Sequence, residues 1–145
     1  CALTFRDDFA AGASYYGVGD AEALARDTHK FESHYLDRLI GPWPDAEELY
    51  RERSPIHFAD RIRAPVLLLQ GLEDEVVPPS QAEEMAAALR RSGVPHAVLM
   101  FEGEQHGFRR AETIIRALEA ELSFYGQVFR FQPADQIEEV QLWTR

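Results

Sequence analysis

The run PVLLLQGLEDEVVPPSQAEEMAAALRRSGVPHAVLMF, residues 65–101, decides the fold. Its two ends, PVLLLQ at 65–70 and AVLMF at 97–101, are continuous apolar stretches without alternation. That pattern suits parallel strands covered on both faces. The segment between them reads as a helix. Ser80 to Glu83 fits a capping box, S-x-x-E, directly after Pro78-Pro79. Ala82, Met85, Ala86 and Leu89 recur at i, i+3, i+4 and i+7, giving one apolar face. Arg90 and Arg91 fall in the last turn, where cations favour the helix dipole. Gly93 is the expected C-terminal stop. Strand, helix and strand make a β-α-β unit, whose crossover is right-handed.

Working outward, FAAGASYY at 9–16 reads as a third buried strand. Downstream, a helix from about Arg110 to Phe129 carries Ile114, Ile115, Leu118, Leu122, Tyr125 and Phe129 on one face, which is expected to cover the sheet. The stretch from Asp20 to Arg63 is mixed and polar, with short helices expected near 20–39 and 45–53, broken apart by GPWP at 41–44. The tail after Phe131 is weakly patterned, with IEEVQLW at 137–143 as a candidate short element. No repeat or low-complexity segment occurs, so the 145 residues form one α/β unit.

The bulk numbers exclude some function classes. A hydrophobic content of 46% is enough to bury a core. A formal net charge of -10 lacks the basic footprint that a nucleic-acid binder needs. It does not by itself imply a cationic substrate. Lys30 is the only lysine, and nothing functional follows from that. No apolar run approaches the roughly 18 residues of a membrane span. Cys1 is the only cysteine, so no intrachain disulfide forms, which favours a reducing compartment. The cytoplasm is therefore the expected location, although CALTFRDDFAAG reads like the middle of a protein and has no initiator Met.

The chemistry gathers in two loops. GLEDEVVPP at 71–79 places Glu73, Asp74 and Glu75 at the carboxyl end of the second strand, the edge where open α/β sheets bind ligands. FEGEQHGFRR at 101–110 places His106 at the same edge of the next strand, between Gly103 and Gly107. A carboxylate cluster in a loop is ordinarily a solvated turn, and a lone histidine after a strand is more often structural. The β-α-β crossover nevertheless makes an acid and an imidazole neighbours. That arrangement lets the acid accept one imidazole N–H and leaves the other nitrogen as a base. Acid before histidine is the chain order of the α/β-hydrolases.

With these motifs in place, PVLLLQGLEDEVVPPSQAEEMAAALRRSGVPHAVLMFEGEQHGF resembles the C-terminal catalytic region of the prolyl oligopeptidase family of serine peptidases. The dipeptidyl-aminopeptidase and acylaminoacyl-peptidase branch is the nearest. ASYYGVGD at 13–20 and RERSPIHFADRI at 51–62 match the same run, and the resemblance covers about residues 9–129. It implies the C-terminal portion of an α/β-hydrolase fold, with a truncated sheet. It also implies a Ser-Asp-His triad in which Asp74 is the aspartate and His106 the histidine. Glu73 and Glu75 have no catalytic counterpart.

The serine of such a triad sits in a G-x-S-x-G elbow, and that pentapeptide is absent here. Ser14 in GASYYG lacks the second glycine and falls within a strand. Ser80 is taken by the helix cap, and Ser54 precedes Pro55 in a connecting segment. The chain therefore reads as a fragment, residues 1–145 being the C-terminal part of a peptidase catalytic domain. The nucleophile half and any β-propeller would lie elsewhere, and the isolated chain is expected to be inactive. The expected partners are a peptide substrate, the rest of the parent chain and a second copy joined through the exposed sheet edge, with neither nucleic acid nor membrane. Two other readings are a carboxylesterase of the same fold and an inactive, self-associating subdomain. No cofactor or metal is expected. His29 and His34 stand at i, i+5 on different helix faces, H-E-x-x-H is absent, and no phosphate or dinucleotide loop occurs. Tyr15, Tyr16 and Trp43 are candidates to line a substrate pocket.

Overall fold

The structure is a computed structural model that describes residues 1–27 and 35–144, so His29 and His34 lie outside the described residues. The elements run α1 (Ala2–Phe5), β1 (Gly12–Tyr15), α2 (Ala21–Asp27), α3 (Tyr35–Leu39), α4 (Glu47–Glu52), a 3₁₀ segment (Pro55–Arg61), β2 (Val66–Gly71), α5 (Ser80–Ser92), β3 (His96–Phe101) and α6 (Ala111–Phe129). The three strands form a parallel sheet in the order β1-β2-β3. Leu67 pairs in register with Ala13 on one side and Ala97 on the other.

Every residue of β2 is buried, because each face of the sheet has its own cover. Successive side chains point to opposite faces. Leu67 and Leu69 meet Ala117, Ala120 and Phe124 of α6 on one face. Val66 and Leu68 meet Met85 and Leu89 of α5, with Ile62, on the other. This is why the sequence shows unbroken apolar runs in place of alternation. Gly93 ends α5 at φ 72, a left-handed conformation that glycine adopts without strain.

Four expectations need correction. The first strand starts at Gly12, three residues later than Phe9, and Phe9 is exposed. It stops before Tyr16, whose φ of 40 leaves the extended region. Ser80 does not cap α5. Pro79 already has helical angles, and the backbone N–H groups of Ala82 and Glu83 donate to its carbonyl. Two prolines with φ preset near the helical value begin the turn one residue early, so the capping box is not formed.

The largest correction concerns α6. Its buried face is Thr113, Ala117, Ala120, Ser123 and Phe124. Ile114, Ile115, Leu118, Leu122 and Phe129 are exposed, Ile115 at 56% and Leu118 at 60%, while Tyr125 is half-buried. The sheet already presents bulky Leu67, Leu69, Leu99 and Phe101, so the helix approaches with small residues and one filling ring. The tail, weakly patterned in sequence, is packed. Val140 is buried, its N–H donates to Ser123 Oγ and its carbonyl accepts from Gln127 Nε2. Trp143 forms an antiparallel bridge with His96 at the start of β3.

Candidate active site at the carboxyl edge of the sheet

β2 and β3 deliver their following loops to one edge, and the structure brings Asp74 and His106 together there. His106 Nδ1 lies 2.9 Å from Asp74 Oδ2. Of the three acids in the loop, only Asp74 is buried; Glu73 and Glu75 are exposed. The Asp74 side chain is 0% exposed and that of His106 39%. An ionised carboxylate can only accept, so His106 donates from Nδ1 and holds its proton there. Nε2 is thereby left as the acceptor nitrogen of the ring.

Asp74 is held from several directions. Its Oδ1 accepts the backbone N–H groups of Val76 at 2.9 Å and Val77 at 2.8 Å, a local turn characteristic of Asp. Its Oδ2 also accepts from Gln70 Nε2 at 3.2 Å. Gln70 is fully buried and its amide reaches Val77 O at 3.0 Å, so the last polar residue of β2 braces the acid loop from beneath.

The histidine loop is shaped by backbone freedom and by one buried acid. Gly103 and Gly107 take φ of 72 and 100, conformations a side chain would strain. Gly71 serves differently: a Cβ there would meet the Glu104 carbonyl oxygen at 2.4 Å, so its bareness lets the two loops touch. Glu104, 1% exposed, accepts the backbone N–H of Arg109 on Oε2 at 2.9 Å and that of Arg110 on Oε1 at 3.0 Å. Burial works to raise its pKa. The Arg109 and Arg110 N–H groups, the Thr113 hydroxyl and the Arg110 charge outweigh it and hold the carboxyl below the usual Glu value.

The three candidate pocket aromatics separate. Tyr16 lies against the imidazole, ring centroids 5.1 Å apart, and edge-on to Phe108 at 5.3 Å. Tyr15 points to α6, where its hydroxyl donates to Glu121 Oε2 at 2.6 Å; burial first and this bond second push its pKa up. Trp43 packs on Tyr50, with the Arg26 guanidinium over its ring. Ser14 sits in mid-strand opposite Leu68 and lines an apolar groove of about 320 Å³ with Leu3, Met85 and Leu89; neither Asp74 nor His106 borders that groove. Ser54 is a buried structural hydroxyl that donates to Tyr50 O and accepts from Ala21 N. Among the described residues, Asp20, Glu22 and His57 bring ligand-type atoms within 4.8 Å of one another. Asp20 Oδ1 already caps α2 through the N–H groups of Glu22 and Ala23, and Glu22 pairs with Arg26, so the group reads as a structural network.

A carboxylate and an imidazole fixed this way can work chemically as an oriented acid–base pair. Residues 1–132 match the model of the prolyl oligopeptidase family. The chain belongs to that family. A puromycin-hydrolyzing peptidase of Mycobacterium tuberculosis superposes with a TM-score of 0.92 at 54% identity, over 97% of this chain and 21% of that one. Dipeptidyl aminopeptidase BIII of Pseudoxanthomonas mexicana is 30% identical over 116 residues, 76% of this chain and 17% of that protein. Esterase LipQ of Mycobacterium tuberculosis is 30% identical over 126 residues, 82% of this chain and 29% of that protein. The strands and their covering helices are thus part of an α/β-hydrolase domain of serine-peptidase type, and the chain spans about a fifth of the matched peptidase from Mycobacterium tuberculosis.

Sequence reasoning passed over Glu104, Gln70 and the contact of Tyr16 with the imidazole. The available signal for Glu104 is an acid shortly before a helix start, where the first N–H groups lack partners, although Glu102 nearby shares it.

Proposed function

We propose that this chain supplies the acid and the base of a Ser-Asp-His triad in a serine peptidase acting on short peptides, with Asp74 orienting His106. The observation that carries this reading is the 2.9 Å contact between His106 Nδ1 and a fully buried Asp74 side chain. In the reaction a serine hydroxyl attacks the peptide carbonyl as His106 Nε2 takes its proton. The imidazolium, stabilised by Asp74, then passes that proton to the leaving amine, and water repeats the cycle on the acyl-enzyme. The serine is contributed by sequence outside these 145 residues, since no G-x-S-x-G elbow occurs within them. Similarity to a puromycin-hydrolyzing peptidase and a dipeptidyl aminopeptidase supports an amide substrate.

The isolated chain is then inactive, because lack of the serine costs on the order of 10⁶-fold in turnover. In the test, the longer protein carrying the nucleophile hydrolyses an aminoacyl or dipeptidyl nitroanilide, and His106→Ala abolishes the reaction. Turnover by the 145-residue chain, lost in His106→Ala, would overturn the fragment reading. Similarity to Esterase LipQ favours a second reading, an acyl-ester hydrolase using the same triad; kcat/KM for a matched amide and ester pair separates the two. Among the described residues no helix is long and apolar enough to cross a membrane. The free, exposed Cys1 supports our assignment of the chain to a reducing, cytoplasmic setting. Beyond the peptide, its partners are the rest of the parent chain and a second copy paired along the outer edge of β1.

A further inference from the structure

Glu104 joins three parts of the site. Its carboxylate closes the histidine loop as a ring, accepting the N–H of Arg109 and of Arg110 on separate oxygens. These same donors open α6, which the loop enters, so the charge also sits where a helix dipole favours an anion. Its carbonyl accepts the N–H of Glu73 at 2.9 Å, tying the loop to the one that bears Asp74. His106 lies inside this ring, two residues after the acid and three before Arg109. Beyond the Asp74 bond, the Tyr16 ring and a Gln105–Gly107 bridge, the loop tip is open: Gln105 and His106 are exposed, and a Cβ on Gly107 would meet nothing within 4 Å.

We infer that Glu104 is a positioning residue for His106, whose ionised carboxylate holds the histidine loop closed so that Nδ1 stays on Asp74. A carboxylate that only capped α6 would affect stability and leave the imidazole where it is. Two paired charge-assisted hydrogen bonds supply direction as well as strength, and the Gly71 close approach makes the loop–loop contact depend on where the Glu104 backbone sits. The depressed pKa of Glu104 agrees with a carboxylate kept charged in a buried site.

The substitution to make is Glu104→Gln, which keeps the shape but offers an amide N–H₂ where one N–H donor needs an acceptor. In the 145-residue chain, the His106 Nδ1–H proton is followed by NMR. The expected result is exchange with water at least about tenfold faster than in the unsubstituted chain, with cooperative thermal unfolding retained. In the longer protein the expected result is a fall in kcat of about 10- to 100-fold with KM within about twofold, as for a misplaced catalytic group. Thr113→Val removes one donor at nearly constant volume and is expected to move both readouts the same way by about threefold; it carries the test if Glu104→Gln does not fold. Unchanged Nδ1–H exchange and unchanged kcat in a folded variant overturn the inference. The kinetic arm rests on the triad reading. If the unsubstituted longer protein hydrolyses neither amide nor ester, that reading fails, while proton exchange in the 145-residue chain still decides the role of Glu104.

Discussion

Replacing Asp74 by Asn isolates what the acid contributes. Asp74 accepts four donors: Val76 N, Val77 N, Gln70 Nε2 and His106 Nδ1. Asn keeps the volume and one acceptor oxygen. If that oxygen serves the two backbone N–H groups, the amide nitrogen faces His106 and Gln70. Gln70 can adapt by turning its Oε1, which has no partner among the described residues, toward the new donor, at the expense of its bonds to Val77 O and Gly71 O. The imidazole can adapt only by giving up its Nδ1 proton and carrying one on Nε2. A protonated Nε2 cannot take the serine proton. A wrong-tautomer substitution of this kind lowers kcat by about 10⁴-fold in the well-studied triads, equivalent to about 5.5 kcal/mol. The stability cost is much smaller, about 1–3 kcal/mol, because most donors keep a partner. The assays are kcat on a nitroanilide in the longer protein and the ¹⁵N shifts of His106 in the 145-residue chain. An Asp74→Asn variant that keeps the imidazole proton on Nδ1, or whose kcat stays within about tenfold of the starting protein, would refute the reasoning.

Three further outcomes follow from packing and charge. Phe124→Ala, emptying the fully buried centre under the sheet, is expected to cost about 3–5 kcal/mol in urea unfolding of the chain. Ile115→Ala on the exposed face should stay within about 0.5 kcal/mol, and the reverse order would contradict the α6 orientation. β1 pairs with β2 through the N–H groups of Gly12 and Tyr16, so that of Ala13 points to the outer edge, where it donates to the Tyr125 hydroxyl. Pairing of copies along this edge should show in sedimentation as a mass that rises with concentration, and a chain that is monomeric at high concentration would sink the edge-pairing proposal. Burial and the Glu121 bond raise the Tyr15 pKa. The associated stability is present below the unfolded tyrosine value near 10 and is lost as pH rises through the folded one. Tyr15→Phe should flatten the alkaline limb of the stability profile, and an unchanged limb would show that another group controls it.

What could be read from the sequence is what depends on nearest neighbours in the chain. Val66 to Gln70 face cover on both sides and so show no alternation; Gly93 marks a left-handed stop; the crossover alone places Asp74 and His106 at one edge. What could not be read depends on competition between partners. On α6 two stripes coexist, Thr113-Ala117-Ala120-Phe124 and Ile114-Leu118-Leu122-Tyr125. Periodicity favours the bulkier stripe, whereas the bulk of the sheet selects the small one. The choice of Asp74 over Glu73 and Glu75 rested on family resemblance. Burial provides the independent reason, because only one of three adjacent side chains can turn inward to meet Val76, Val77 and Gln70. Glu104 escaped notice because its donors, Arg109 and Arg110, are backbone groups that no residue pattern displays.

The most direct measurement is chemical. A peptidyl chloromethyl ketone bound at a serine-peptidase site alkylates the imidazole nitrogen that faces the nucleophile. Peptide mapping of the longer protein after this reaction should find the adduct on His106 Nε2, with His57 and His96 unmodified and the label lost when the nucleophile serine is replaced. An adduct on another histidine, or none on His106 in an otherwise reactive protein, would contradict the claim that this chain provides the base of the triad.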